Sequence, residues 1–403
     1  MLIDVSDSLE EDHHHMDDIA RFYVKCTLWL GVSDPGYVST YFGPERLREE
    51  ALTVEVPPES VAGYTGELLA TLDTIEPLSD DARARHAGLR GLVRALEARA
   101  RGNLDFEASF GIPAPGDDPG WFEGFHTALD GILPGSGDLA SRYREFMAPF
   151  VVPPDRFFEV FVAAVAESRR RTAEHIMLPP GEEIEYLAPE GRGRYLGGGR
   201  SLIRVNIDRP VTIDQILPLA CGEGYPGRHT IQAIRDAVLV RGRGWIEHTV
   251  VPVASPFATI TEGAARFGVE MAFPGVDRTK FTEEILFPLA GLEPGDTALL
   301  EGVNTIATGL FYSGTARIAA GLAAGTLPRE EACGILKDVL LLTPETAEAC
   351  LRCIEGFGAY PAAVNEGYRR VRDYVGTSGS QQWERFARIL TAPLVPADLA
   401  DTP

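Results

Sequence analysis

The densest group of reactive side chains lies in Ala220-Cys221-Gly222-Glu223-Gly224-Tyr225-Pro226-Gly227-Arg228-His229-Thr230. Between Glu223 and His229 it offers a carboxylate, a phenol, a guanidinium and an imidazole. Glu223, desolvated beside Tyr225 and the apolar end of a helix, suits a general base, with His229 as acid or as its orienting partner. Arg228 carries a permanent charge whose planar fork recognises carboxylate, sulfate or phosphate bidentately and stabilises developing negative charge. Together they suit proton abstraction coupled to loss of an anionic leaving group, as in elimination or intramolecular ring closure. Taken singly, Tyr225 reads as a packed aromatic and His229 as a satisfied core histidine; only their clustering points to chemistry. Gly222, Gly224, Pro226 and Gly227 crowd the same stretch, although a helix interior loses about 1 kcal/mol per Gly and about 3 per Pro. Something other than helix stability selects them.

The elements around this cluster follow from periodicity. Thr212 and Gln215 match a capping box, and Ile213, Ile216 and Leu217 fall at helical spacing, so a helix runs into Cys221 and is interrupted after it. Upstream, YLGGGRSLIRVNID over 195–208 alternates after a glycine run and predicts a strand edging a cleft. Tyr195 there could donate to an oxyanion. Arg200, Asn206 and Asp208 could fix a substrate, although Asn206 and Asp208 equally suit the turn before Pro210. Helical patterns cover 18–30, with Asp34-Pro35-Gly36 as a break, then 58–101, 154–176 and most of 283–390. Residues 103–137, rich in Pro and Gly, read as irregular and as the best internal boundary. The expectation is a mainly α fold with a small β edge beside a central cleft. It has a flexible acidic N-terminus over 1–17 and a single domain over 18–403, whose lobes would be 18–137 and 138–403.

Composition narrows the function. With 45% hydrophobic and 24% charged residues in 403, the chain can bury a large core. A formal charge of -22 opposes phosphate-backbone affinity, so nucleic acid is not an expected partner; the acidity mildly favours substrates carrying an amine. The sequence has no run of about 18 apolar residues and no signal-peptide order at its start, which predicts no membrane partner and a cytoplasmic location. Five cysteines, an odd and sparse set, suit reduced thiols; the spacing of Cys350 and Cys353 fits a helical core face better than a metal knuckle.

The core stretch also resembles HEGYPGHHT, the signature of a bacterial zinc metallopeptidase family in the broad zincin class. Further likeness runs through PGYVSTYFGP, RRRT with LPPGEE, YLGGGRSLIRVNID, SPFATITEGAARFG and RFARILTAPLVPADL, nearly the whole chain. The resemblance implies a zincin-like scaffold, Glu223 as general base, Glu262 as a distant acidic metal ligand, and Tyr41 as a family tyrosine of underived task. The departures are specific. Gly222 stands where the family has its first ligand histidine, Arg228 replaces one of the paired histidines, and Ser39 stands where an acidic residue is usual. On a regular helix, position 229 returns to the face of 222 whereas 228 points away, so His229 would be the second ligand. One histidine and one carboxylate fall short of the three protein ligands of catalytic zinc.

The expected function is therefore a repurposed, metal-independent enzyme that needs no metal or cofactor. Glu223, His229, Glu262 and Tyr195 would be catalytic, with Arg228, Tyr225, Arg200, Asn206, Asp208 and Tyr41 binding substrate. Its partner would be a polar small molecule with an anionic group and an amine, in specialised-metabolite biosynthesis. Two alternatives stand beside it. One is a noncatalytic pseudopeptidase bound to a protein partner, with Arg228 only pairing Glu223 or Glu262. The other is a residual zinc peptidase that recruits His248 or Cys221.

Overall fold

The computed structural model describes residues 5–103, 105–116, 118–187, 193–204, 210–377 and 379–400. Within them the chain is mainly helical with two small sheets. The helices that matter for the site are α1 (Val5–Ser33), α2 (Asp80–Ala100), α3 (Pro154–Ala173), α4 (Ile213–Glu223), α5 (Arg228–Arg235), α6 (Pro256–Ala272), α7 (Thr297–Ala323) and α8 (Tyr360–Val375). Two of the periodicity-based boundaries move. The lead-in expected to be flexible through residue 17 is helical from Val5; at its end Met16 is buried and Asp17 pairs with Arg85 at 2.7 Å. The stretch expected to be irregular contains helices Phe106–Phe110 and Glu123–Ile132, the first capped by Asp105.

α6 is the axis of the molecule. Ser255 caps it by accepting from the Ala258 N–H at 3.0 Å, Pro256 sits in its first turn, and nearly every side chain along it is buried. It packs against α8 at glycines: a Cβ on Gly263 would lie 2.2 Å from the Gly367 carbonyl carbon, and one on Gly367 would lie 2.1 Å from the Thr259 carbonyl oxygen. Only glycine at both positions lets the two backbones approach so closely. One core joins α1, α2 and Phe110 to Val250, Phe257 and Ala359–Ala363, so the first hundred residues share their interior with the last part of the chain. Arg85, fully buried, ties these parts together by bonding Glu247 at 2.8 Å as well as Asp17.

The strands are β1 (Val38–Tyr41), β2 (Glu183–Leu187), β3 (Arg194–Gly197), β4 (Arg200–Arg204) and β5 (Val250–Pro252). β1 and β5 pair antiparallel. β4 is central in the other sheet, parallel to β2 and antiparallel to β3. The segment expected to be one strand is thus a hairpin. Gly197, Gly198 and Gly199 all take positive φ (84°, 64° and 84°), and this is the glycine run that turns the chain back on itself. Cys353 is exposed, so its spacing from Cys350 does not mark a core face; none of the five cysteines forms a disulfide.

Candidate functional site

The helix entering the cluster ends at Glu223, and a new one begins at Arg228. Thr212 N–H donates to Gln215 Oε1 at 3.4 Å, one arm of the expected capping box. The break needs its glycines. A Cβ on Gly224 would lie 2.8 Å from the Ala220 carbonyl oxygen, and one on Gly227 only 2.1 and 2.2 Å from the carbonyl oxygens of Gly222 and Cys221. Position 227 therefore rests directly on the end of α4, and α5 starts on a new axis.

That new axis decides which side chain meets the carboxylates. Arg228 donates through Nε to Glu262 Oε1 at 2.9 Å and through Nη2 to Glu262 Oε2, a bidentate pair. Its Nη1 donates to Glu223 Oε1 at 2.5 Å. Burial opposes the guanidinium charge, but Glu223 and Glu262 hold its pKa well above the ordinary value. Tyr360, at the start of α8, hydrogen-bonds to both Glu262 and Arg228; burial first, then Glu262, pushes its phenol well up, so it stays protonated. The group is partly exposed. The side chain of Glu262 is 9% exposed, that of Glu223 33% and that of Arg228 39%.

His229 does not join them. Its side chain is sealed, with Nδ1 2.7 Å from Ser201 Oγ on β4 and Nε2 2.8 Å from Glu182 Oε2 just before β2. The angular argument that preferred 229 over 228 assumed a regular helix through 224–227. The chain is not helical there, and residue 228 is the one delivered to the two carboxylates. Glu182 also bonds the Tyr225 hydroxyl and accepts from Arg169 Nε at 2.8 Å. Although burial opposes its charge, His229, Tyr225 and Arg169 together hold the Glu182 carboxyl below its usual range. Tyr225 lies edge-on to His229 with ring centroids 4.9 Å apart.

The other sequence-derived residues are spread out. Tyr195 donates to Asp236 Oδ2 at 2.7 Å and accepts from the Gly199 N–H at 2.7 Å, locking the glycine hairpin. Arg200 pairs with Glu185 at 2.9 Å on the surface. The Tyr41 hydroxyl donates to the Pro44 carbonyl at 2.8 Å, and burial pushes its pKa up to about 12. Ser39 donates to the Val251 carbonyl. Asn206 and Asp208 lie outside the described residues. Cys221 is buried 3.3 Å from Ser168 Oγ, its thiol pushed up to about 12 by burial, and His248 packs against Phe257 and Trp245.

This donor set does not fit a catalytic zinc. Gly222 supplies no ligand, a guanidinium sits between the two carboxylates, and the imidazole is turned away. Among the described residues no three His, Cys, Asp or Glu side chains are grouped to hold a metal ion. The sequence pointed to Glu223, Arg228 and Glu262; it gave no sign of Tyr360, and of Glu182 only its place in LPPGEE.

No family model and no curated protein sequence matches the chain. Over 88% of its length it superposes on 74% of a solved chain from Shewanella oneidensis described as "a putative lipoprotein of unknown function", with TM-score 0.50 and 11% identity. A "putative lipoprotein" from Colwellia psychrerythraea matches over 86% of this chain and 69% of that one, with TM-score 0.44 and 11% identity. At this identity the Shewanella likeness concerns the fold alone. Among the described residues no helix is long and apolar enough to cross a membrane.

Proposed function

We propose that the chain is a metal-independent enzyme on a zincin-like scaffold, acting by carboxylate acid-base chemistry on a polar small molecule with an anionic leaving group. The observation that carries this reading is the unequal sharing of Arg228 between a recessed Glu262 and a more exposed Glu223. Glu262 anchors the guanidinium through two bonds, and Glu223 holds it through one. When Glu223 takes a proton from the substrate, the electron pair left behind forms a new π bond or closes a ring, and the leaving group departs with its own bonding pair. Protonated Glu223 no longer holds Nη1 of Arg228 by charge, so that edge of the guanidinium turns to the new anion as it forms while Glu262 keeps its two bonds. Tyr360, kept protonated, donates its hydroxyl to Glu262 and steadies the carboxylate that anchors Arg228.

The test is untargeted mass spectrometry of a metabolite extract incubated with wild-type protein, Glu223→Gln and Arg228→Lys. An anionic metabolite consumed by the wild type alone supports the reading. Equal consumption by all three proteins, or by none, sinks it.

The mutual satisfaction of Arg228, Glu223 and Glu262 favours a second reading, a noncatalytic pseudopeptidase in which this trio only supports the fold. In that case Arg228→Lys changes melting temperature and leaves every metabolite untouched.

A further inference from the structure

One turn beyond Glu262 on α6, Arg266 is built differently from the arginines around it. Its guanidinium carbon lies 3.8 Å from the ring centroid of Tyr312 on α7 and 4.1 Å from that of Tyr368 on α8. Among the described residues no carboxylate comes within ion-pair distance of it. Glu262, the expected i,i+4 partner, is committed to Arg228, and nearby Glu270 is taken by the Tyr368 hydroxyl. A guanidinium has five N–H donors, and among the described residues the one protein hydrogen bond here is Nη1 to Asn365 Oδ1 at 3.3 Å. Four donors are therefore left without an acceptor among the described residues, and none of the unbonded nitrogens is sealed from solvent. Burial lowers the pKa of Arg266 against the opposing pull of Tyr312, Tyr368 and Glu270, so a counter-anion in contact with the fork would stabilise the charge.

We propose that Arg266, held by Tyr312, Tyr368 and Asn365, is the subsite for a substrate carboxylate, about 6 Å along α6 from Glu262. Rings against the guanidinium leave its in-plane edge as the approach. A flat, two-oxygen anion enters that slot coplanar with the fork, whereas a tetrahedral phosphate pushes oxygens out of plane towards the rings. The place of this subsite in a substrate cleft rests on the reading of Glu223 and Arg228 given above: it makes the substrate a molecule with a fixed carboxylate at one end and the reacting bond about one helical turn away.

Binding is measured with glutarate, inorganic phosphate and neutral glutaramide, by calorimetry and by the Nε resonance of Arg266 in arginine-labelled protein. The wild type binds glutarate in preference to phosphate, ignores glutaramide, and shows the Arg266 signal moving. Arg266→Lys, which keeps the charge and loses the fork, weakens glutarate about tenfold or more with its melting temperature held. Glu223→Gln leaves glutarate binding intact even though it stops turnover, so failure of the subsite and failure of the catalytic reading are told apart. The subsite is overturned if the wild type binds no glutarate or prefers phosphate, or if Arg266→Lys binds glutarate as the wild type does.

Discussion

Arg228 commits two of its nitrogens to Glu262 and one to Glu223, so a single cation fixes a recessed carboxylate and restrains an exposed one. Removing it leaves Glu262, 9% exposed, without its counter-charge. Arg228→Ala is expected to cost about 2 kcal/mol in denaturant unfolding, the scale of a buried charged group left unpaired. Adding Glu262→Gln to it should recover part of the loss, because the uncompensated charge goes as well. A double variant as unstable as the sum of the single ones would show that the pair is not coupled.

Gly222 has room for a side chain. A Cβ there meets only the Ala265 carbonyl oxygen, at 3.6 Å, an ordinary contact on the helix that carries Glu262. Gly222→His with Arg228→His would therefore place two imidazoles with Glu262, the three protein ligands a catalytic zinc requires. Elemental analysis should find about one zinc per chain in the double variant and none retained by the wild type. An unmetallated double variant with an intact fold would mean that position 222 does not face Glu262.

Acid should act in two stages. Burial, then the charges of Arg235 and Arg85, push His248 down to about 3 from 6.5, so between these values the unfolded chain takes up a proton that the folded chain refuses. Stability from this group is full above 6.5 and falls as pH drops through that window. Glu182, held below 4.5, adds stability that is present above 4.5 and is lost as pH falls through its lowered folded value. Melting curves across pH should show His248→Phe flattening the first decline and Glu182→Gln the second. A His248→Phe profile parallel to the wild type between pH 4.5 and 6.5 would refute the first assignment.

The glycine crossing of α6 and α8 sets the distance between Glu262 and Tyr360. Gly263→Ala would put a methyl 2.2 Å from the Gly367 carbonyl carbon, which the backbone cannot absorb without separating the helices. A loss of about 2 to 3 kcal/mol is expected, in the range of core overpacking. Gly334→Ala, with nothing near its Cβ, serves as the control and should be neutral or slightly stabilising.

Much of the fold was legible because periodicity reports it directly. The helix Pro154–Ala173 and the stop before Arg228 both appear where the pattern of apolar residues, Gly and Pro places them. The candidate site was legible only in part. Glu223, Arg228 and Glu262 meet, but the partner of His229 was hidden: Glu182 lies 47 residues away, and Ser201 reaches the imidazole only because the glycine run folds back into a hairpin. Tyr360 and Arg266 carried no local signal, since what distinguishes them is a helix crossing made by two glycines a hundred residues apart in sequence.

The junction between α4 and α5 also bears on how such a scaffold can change. Because α5 starts afresh after Gly227, its angular phase is set by the length of the link and not by α4, and each residue of a helix turns the next by about 100°. Loss of a single residue from 224–227 would carry His229 towards the place Arg228 now holds, and one added residue would carry both away. A change of loop length alone, with every helix and both carboxylates kept, is thus enough to exchange a permanent cation for a titratable base between Glu223 and Glu262.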